Sequence, residues 1–259
     1  LRNKVNLLLT DTSQKIILPK YKTLKNNEIK TKDSSNDFVT IADEESEFFL
    51  TKNLKNIIPS SHVIGEESVY LNKDILNQLN EKEPVWVIDP IDGTSNFISG
   101  IDKFYIIIAL VVSNDTIMGW IHNPITLETV WGYKGYGTWI DNKKISIDKI
   151  NNNLKDNKAA IYHKSLINHK DKLSYIKYNG SAAHEYVSLI KSEIQISCFS
   201  RLLPWDHAAG ILLHKEAGGY SALLNSREYS PNSKNSEGIL SAPNLDIWNS
   251  VRSLMKDES

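Results

Sequence analysis

Residues 85–97 read VWVIDPIDGTSNF. The apolar run has the pattern of a buried strand, and it ends abruptly in Asp89, Pro90, Asp92, Gly93 and Thr94. One reading is a strand entering an ordinary turn, because Pro-x-Asp-Gly is common punctuation. The other is a strand that delivers carboxylates to a metal and a phosphate. A strand ending in Asp89 presents that carboxylate at its C-terminal edge, where open α/β sheets place ligands. Pro90 fixes its own backbone and has no N–H to offer. Asp92 lies three positions on, and in a tight turn both carboxylates can converge. Gly93 lets the backbone come close to a ligand. Thr94 and Ser95 can cap a short helix whose first N–H groups point at an anion. Carboxylates beside an anion cradle require a cation between them, and all-oxygen ligation suits Mg²⁺.

Two other acidic spots bear on the choice. VIGEES (63–68) puts Glu66 and Glu67 right after a short strand, where the plain alternative is a solvated acidic loop. PWDHAAG (204–210) puts Asp206 in the first turn of a helix, where the plain alternative is an N-cap. Three acidic turns, each at the edge of a buried element, favour the metal reading together more than any does alone.

The 259 residues suit one large domain or two tightly packed smaller ones, burying roughly 70–75% of the unfolded surface. With 41% hydrophobic and 24% charged residues, the chain reads as globular. A formal net charge of -1 argues against a nucleic-acid or anionic-membrane partner. Cys198 is the single cysteine, so no internal disulfide forms, which fits a reducing compartment. The apolar stretch of LRNKVNLLLTDTSQK (1–15) is too short and broken for a signal sequence, and no apolar run reaches the roughly 20 residues of a membrane span. The expected location is cytoplasmic.

Residues 1–18 and 40–56 read as helices. HVIGEES is a short strand entering an acidic turn. KFYIIIALVVS (103–113), TIMGWIHNP (116–124), ETVWGYKGYGTWID (128–141) and KKISI (143–147) read as an antiparallel meander, with a hairpin turn in IDNKKI (140–145). After residue 150 strands and helices alternate: KAAIYH, GSAAHEYVSLIKS, EIQISCF, PWDHAAGILLHKEAGG, GYSALL, GILSAP and NLDIWNSVRSLMK. The fold class is therefore α/β, with an α+β N-terminal half (1–148) and an α/β C-terminal half (149–259) packed as one unit. The polar segment 148–158 is the candidate seam.

GEES, WVIDPIDGTSNF and PWDHAAGILLHKEAGG, in this order and spacing, resemble the inositol monophosphatase family of Mg²⁺-dependent phosphatases. KDSSNDFVTIADEESE (32–47), GYKGYGTWIDNKKISI (132–147) and NGSAAHEYVSLIKSE (179–193) extend the resemblance over nearly the whole chain. It implies a layered αβαβα sugar-phosphatase fold and hydrolysis of a small phosphate monoester by direct attack of a water activated by two or three Mg²⁺ ions. By resemblance, Glu66, Asp89 and the carbonyl of Ile91 hold a first ion, and Asp89, Asp92 and Asp206 a second; a third, weaker ion sits near Glu66. The N–H groups of Gly93 and Thr94 bind phosphate. Thr94, oriented by Asp43, helps Glu66 position and deprotonate the water. Lys32 matches a basic residue that steers substrate, with a surface lysine as the alternative. Gly180, Ser181 and Ala182 line the substrate side. The family is usually dimeric, and YKGYGTW (133–139) is a candidate subunit contact.

The chain departs from its inositol-specific relatives seven residues before Asp206. Phe199 stands where they carry a glutamate, followed by Ser200 and Arg201. Arg201 can bind a second phosphate or a carboxylate, since guanidinium suits both. The open substrates are inositol phosphate, a sugar bisphosphate such as fructose 1,6-bisphosphate, histidinol phosphate and a 3'-phosphonucleotide. An aspartyl-phosphate enzyme of the haloacid-dehalogenase type would need its nucleophilic aspartate at position 90, which is proline. A non-catalytic regulatory member of the fold is the rival of another class. His207 reads as packing or surface; His163, His169, His184 and His214 have no metal-ligand spacing, and Cys198 reads as core.

Overall fold

The computed structural model describes residues 1–32, 37–148, 153–177, 179–234 and 237–255. Helix α1 (Arg2–Thr12) runs on through a π-turn at Ser13–Ile17 and a 3₁₀ turn at Leu18–Lys20, so the expected helix over 1–18 changes pitch after its eleventh residue. A two-stranded antiparallel pair that the sequence pattern did not reveal, β1 (Ile29–Thr31) and β2 (Phe38–Thr40), leads into α2 (Ile41–Ile57). A capping box starts α2: the Thr40 hydroxyl accepts from Ala42 N–H, and Asp43 accepts from Thr40 N–H.

Strand β3 (His62–Gly65) enters α3 (Glu66–Leu71), so the expected acidic turn is the first turn of a helix. Then follow β4 (Val85–Asp92), α4 (Thr94–Ile98), β5 (Tyr105–Val112), β6 (Asp115–His122), β7 (Thr129–Tyr133), β8 (Gly137–Ile140) and β9 (Lys143–Ile145). They form a seven-stranded sheet in sequential order, parallel between β3 and β4 and antiparallel from β4 onward. The expected meander is present, including the β8–β9 hairpin, whose turn holds Asp141 at φ 51°.

The second sheet contains β10 (Lys158–Ile161), β11 (Ser174–Ile176), β12 (Ile196–Phe199), β13 (Tyr220–Leu223) and β14 (Ile239–Ala242), ordered β11-β10-β12-β14-β13. It is mixed: β10 pairs in parallel with β11 and β12, and β14 runs antiparallel to β12 and β13. Its helices are α5 (Lys164–Ile167), α6 (Ala182–Ile190), α7 (Pro204–Glu216) and α8 (Leu245–Leu254). Pro204 opens α7, and Gly218 at φ 100° lies just past its end. The seam expected at 148–158 falls partly outside the described residues.

Side-chain alternation builds the layers. Trp86, Ile88, Ile106, Ile108 and Trp120 face α1 and α2. Val85, Val87, Ile107, Ala109 and Ile121 face the opposite way and join Tyr186, Ala209 and Leu213 of α6 and α7, whose far side meets Phe199, Leu223 and Ile239 of the second sheet. The other face of that sheet packs Ile196, Cys198, Ala222 and Leu240 against Ile247, Trp248 and Val251 of α8. The order is helix, sheet, helix, sheet, helix, as the αβαβα expectation requires.

Candidate active site

Parity decides where Asp89 points. Val85 and Val87 face α6 and α7, and Asp89 continues their phase. Three positions later Asp92 would fall on the opposite face of a regular strand. It does not, because β4 is bulged: Asp89 pairs with Ile107 and Asp92 with Tyr105, so three steps on β4 match two on β5. Pro90 sits within the bulge, where a missing N–H costs least. The carboxylates therefore converge through a bulge within a strand. The tight turn expected at this point begins only at Gly93.

Asp206 comes from α7. It is the third residue of the helix, whose N-cap is Leu203, so it is not the cap itself. Carboxylate oxygens of Asp89, Asp92 and Asp206 all lie within 4.8 Å of one another. Glu66, at the start of α3, lies close enough for its carboxylate to act on Asp89. Burial, then the neighbouring carboxylates, holds Asp89 and Asp206 well above the usual range. Burial also raises Asp92 to about 6, against bonds from Ser181, Ala183 and Ala182.

Glu66, Asp89, Ile91, Asp92, Gly93, Thr94, Gly180, Arg201 and Asp206 border one cavity of about 300 Å³, together with Tyr162 and Trp205. Gly93, at φ 94°, is the N-cap of α4, so Thr94 and Ser95 lie inside the helix and do not cap it. A Cβ at Gly93 would sit 2.8 Å from the Lys103 carbonyl. The Thr94 hydroxyl lies 3.1 Å from the Ile91 carbonyl and 3.2 Å from Asp43 Oδ1. The other oxygen of Asp43 accepts from Thr40 N–H at 2.8 Å and from its hydroxyl at 2.5 Å. Burial raises Asp43 to about 7 despite those bonds.

Lys32 is no surface lysine. Its side chain is 3% exposed and its ammonium bonds Glu66 at 2.7 Å and Glu67 at 2.8 Å. Burial alone would lower its pKa, but the two glutamates outweigh burial and raise it. Ser181 and Ala182 meet Asp92 directly: the Ser181 hydroxyl donates to Oδ2, and the N–H groups of Ala182 and Ala183 donate at 3.1 and 2.9 Å. Asp92 thereby ties the start of α6 to the end of β4.

Phe199 does not border the cavity. It is buried, stacked on Tyr186 with centroids 5.8 Å apart and edge-on to His207 at 4.9 Å. Counting along the chain located the position but not its face. Arg201 and Tyr162 are the residues that border the cavity there.

Sequence reading missed Glu47. Its buried carboxylate accepts from the N–H groups of Glu67 and Ser68, both at 2.8 Å, and from the Ser68 hydroxyl, anchoring the start of α3. The available signal was its spacing, four residues after Asp43 on one helix face. His207, read as packing or surface, is a buried packing residue. Its Nδ1 lies 2.9 Å from the Tyr186 hydroxyl and its Nε2 2.8 Å from the Arg201 carbonyl. Burial lowers its pKa to about 4. Cys198 is core as expected, and burial raises its thiol to about 12. No helix among the described residues is long and apolar enough to cross a membrane.

Fold and donor set together define a phosphoric monoester hydrolase of the metal-dependent kind. The model of the inositol monophosphatase family matches residues 3–249, and the chain belongs to that family. A fructose-1,6-bisphosphatase/inositol-1-monophosphatase of Thermotoga maritima is 27% identical over 232 residues, 86% of this chain and 87% of that protein. An inositol monophosphatase of Dictyostelium discoideum is 32% identical over 199 residues, 71% of each chain. The fold is that of the solved Thermotoga maritima IMPase, with a TM-score of 0.83 at 22% identity over 99% of this chain and 96% of that one.

Proposed function

We propose that the protein hydrolyses a small phosphate monoester of the inositol-phosphate or sugar-phosphate kind by direct attack of water, with Mg²⁺ as its metal. The observation that carries the reading is the approach of Asp89, Asp92 and Asp206 to within 4.8 Å in a buried site. Asp89, Asp92 and Asp206, each with a raised affinity for protons, form a costly cluster unless a divalent cation offsets them, and oxygen-only donors fit Mg²⁺. Glu66, Asp89 and the Ile91 carbonyl would hold one ion, and Asp89, Asp92 and Asp206 a second. When bound, Mg²⁺ supplies charge neutralisation and Lewis acidity at the phosphate.

The chain's own groups do the rest. Gly93 and Thr94 start α4, where backbone N–H groups lack intrahelical partners and can meet phosphate oxygens. The Thr94 hydroxyl donates to Asp43, leaving a lone pair to accept a hydrogen bond that orients the attacking water, and Glu66 takes the water's proton as it attacks. Lys32 holds Glu66 in place while balancing its charge. Arg201, exposed at the cavity rim, receives a second anionic group of the substrate. Support for a bisphosphate comes from the Thermotoga relative, whose name covers both fructose 1,6-bisphosphate and inositol 1-phosphate. Histidinol phosphate and 3'-phosphonucleotides are the other candidates in the family. The reading includes functional halves at 1–148 and 149–259 and a homodimer seated on the exposed Tyr136 region.

The test is a phosphate-release screen over these four substrate groups, with and without Mg²⁺, and with Asp89→Asn as control. Turnover that depends on Mg²⁺ and is lost in the variant is expected. Undiminished turnover by Asp89→Asn would remove Asp89 from the mechanism.

A further inference from the structure

His207 is adjacent to Asp206 in α7, but its ring turns away from the carboxylates and into the layer between the sheets. There it touches three elements. The Tyr186 hydroxyl of α6 lies 2.9 Å from Nδ1, the Phe199 ring of β12 packs edge-on at 4.9 Å, and the carbonyl of Arg201 lies 2.8 Å from Nε2. A carbonyl only accepts, so Nε2 carries the proton; in the neutral ring Nδ1 then has the lone pair, and the Tyr186 hydroxyl donates to it. Tautomer and ring orientation follow from the network. Gly210 is part of the arrangement, because a Cβ there would lie 2.1 Å from the Tyr186 ring.

The link between β12 and α7 carries Arg201. Its carbonyl points inward to His207 while its side chain borders both the carboxylate cavity and a second cavity of about 550 Å³ beside it. The two cavities also share Asp37, Glu66, Leu203 and Trp205. Asp206 feels the Arg201 charge directly. The bond from Nε2 to the carbonyl restrains the peptide plane after Arg201, and so the backbone from which the guanidinium side chain departs. The Ser200 hydroxyl, donating to the Tyr162 carbonyl at 2.9 Å, holds the preceding residue.

We propose that His207 is a positioning residue for substrate selection: through the Arg201 carbonyl it aims the guanidinium at a second anionic group, phosphate or carboxylate, on the leaving alcohol. This rests on the reading of Arg201 as a substrate contact. Histidine is suited to the task because one ring bridges a buried hydroxyl and a buried carbonyl on opposite sides. Neither asparagine nor glutamine spans both. Glutamine places an N–H where Nε2 stands, and asparagine places its carbonyl where Nδ1 stands.

The experiment compares KM and kcat for a hexose bisphosphate and the matching hexose monophosphate in full-length protein with Mg²⁺. His207→Asn, which drops the Arg201 carbonyl, is expected to raise the bisphosphate KM about tenfold, the worth of one charge-assisted hydrogen bond. The effect falls on KM rather than kcat, and the monophosphate KM stays within about twofold. His207→Gln, which keeps that donor but loses the Tyr186 bond, is expected to bring the bisphosphate KM back to within about threefold. Arg201→Gln should match His207→Asn, and the double variant should add nothing further. A normal bisphosphate KM in Arg201→Gln would remove the Arg201 contact itself. A raised KM in Arg201→Gln beside a normal one in His207→Asn would overturn the positioning role alone. Equal loss of kcat on both substrates in His207→Asn would place its action on Asp206 and also overturn the proposal. Should His207→Asn fail to fold, Tyr186→Phe replaces it, with about a threefold rise in bisphosphate KM expected and no change counting against the role.

Discussion

Asp89 carries two opposite obligations at one position. It is the most crowded of the carboxylates, facing Glu66, Asp92 and Asp206 while fully buried. Asp89→Asn should therefore lower activity at least about 100-fold while stabilising the metal-free fold, because it removes a buried carboxyl whose ionisation its surroundings oppose. Thermal denaturation in chelator beside an activity assay checks both signs at once; a variant that loses stability and activity together would contradict the account. Gly65 shows the same dependence of site on packing. A Cβ there would fall 2.2 Å from the Glu47 carboxyl carbon, which anchors the helix start carrying Glu66. Gly65→Ala is expected to cost about 1–3 kcal/mol by overpacking, read as a shift in denaturant midpoint at constant slope. The residues of the donor set were legible because carboxylates beside strand and helix ends are chemically conspicuous. Glu47 was not, since a buried glutamate serving backbone N–H groups looks in sequence like any charge on a helix.

Among the elements, β4 and α6 show where linear reading stops. The strand pattern of 85–92 was readable, yet the bulge between Asp89 and Asp92 was not, because it is a property of pairing with β5 rather than of β4 alone. Phe199 makes the complementary point. Ile196 and Cys198 face α8, so Phe199 at the next alternation faces the middle layer, and a residue count cannot see that change of side. The helix spans themselves were legible from Pro204, Gly218 and apolar spacing. The start of α6 is held by a carboxylate from across the sheet: Ser181 donates to Asp92 and its oxygen accepts from His184 N–H at 3.0 Å. Ser181→Ala is expected to lose about 1 kcal/mol of cap energy and to shift Asp92, so stability and Mg²⁺ affinity should fall together. Calorimetric titration with Mg²⁺ separates the two; unchanged affinity would confine Ser181 to capping.

Across the whole molecule the acidic site couples folding to pH and metal. Asp43 and Asp92 are raised from near 3.8 to about 7 and about 6. The unfolded chain releases these protons first, so between pH 4 and 7 the folded state holds more of them. Stability of the metal-free protein should then fall as pH rises through that window, with no further loss from these two groups above it. Mg²⁺ at about 100 times its dissociation constant should return roughly 2.7 kcal/mol at neutral pH, a melting shift of about 5 °C. Melting curves with chelator and with Mg²⁺ across pH 4–8 test the sign; a metal-free protein that gains stability through the window would contradict it.

Helix α7 has a consequence for the order in which the chain is made. It packs against β4, β5, β6, β7 and β8 of the first sheet and against β13 of the second, and it carries Asp206. A ribosome working at roughly 5–20 residues per second delivers Asp89 and Asp92 on the order of ten seconds before Asp206. During that interval the nascent sheet has a carboxylate pair and no third aspartate to complete it. On the proposed assignment, hydrolytic competence switches on when translation has supplied α7 and the helix has docked, so unfinished chains cannot consume phosphate esters.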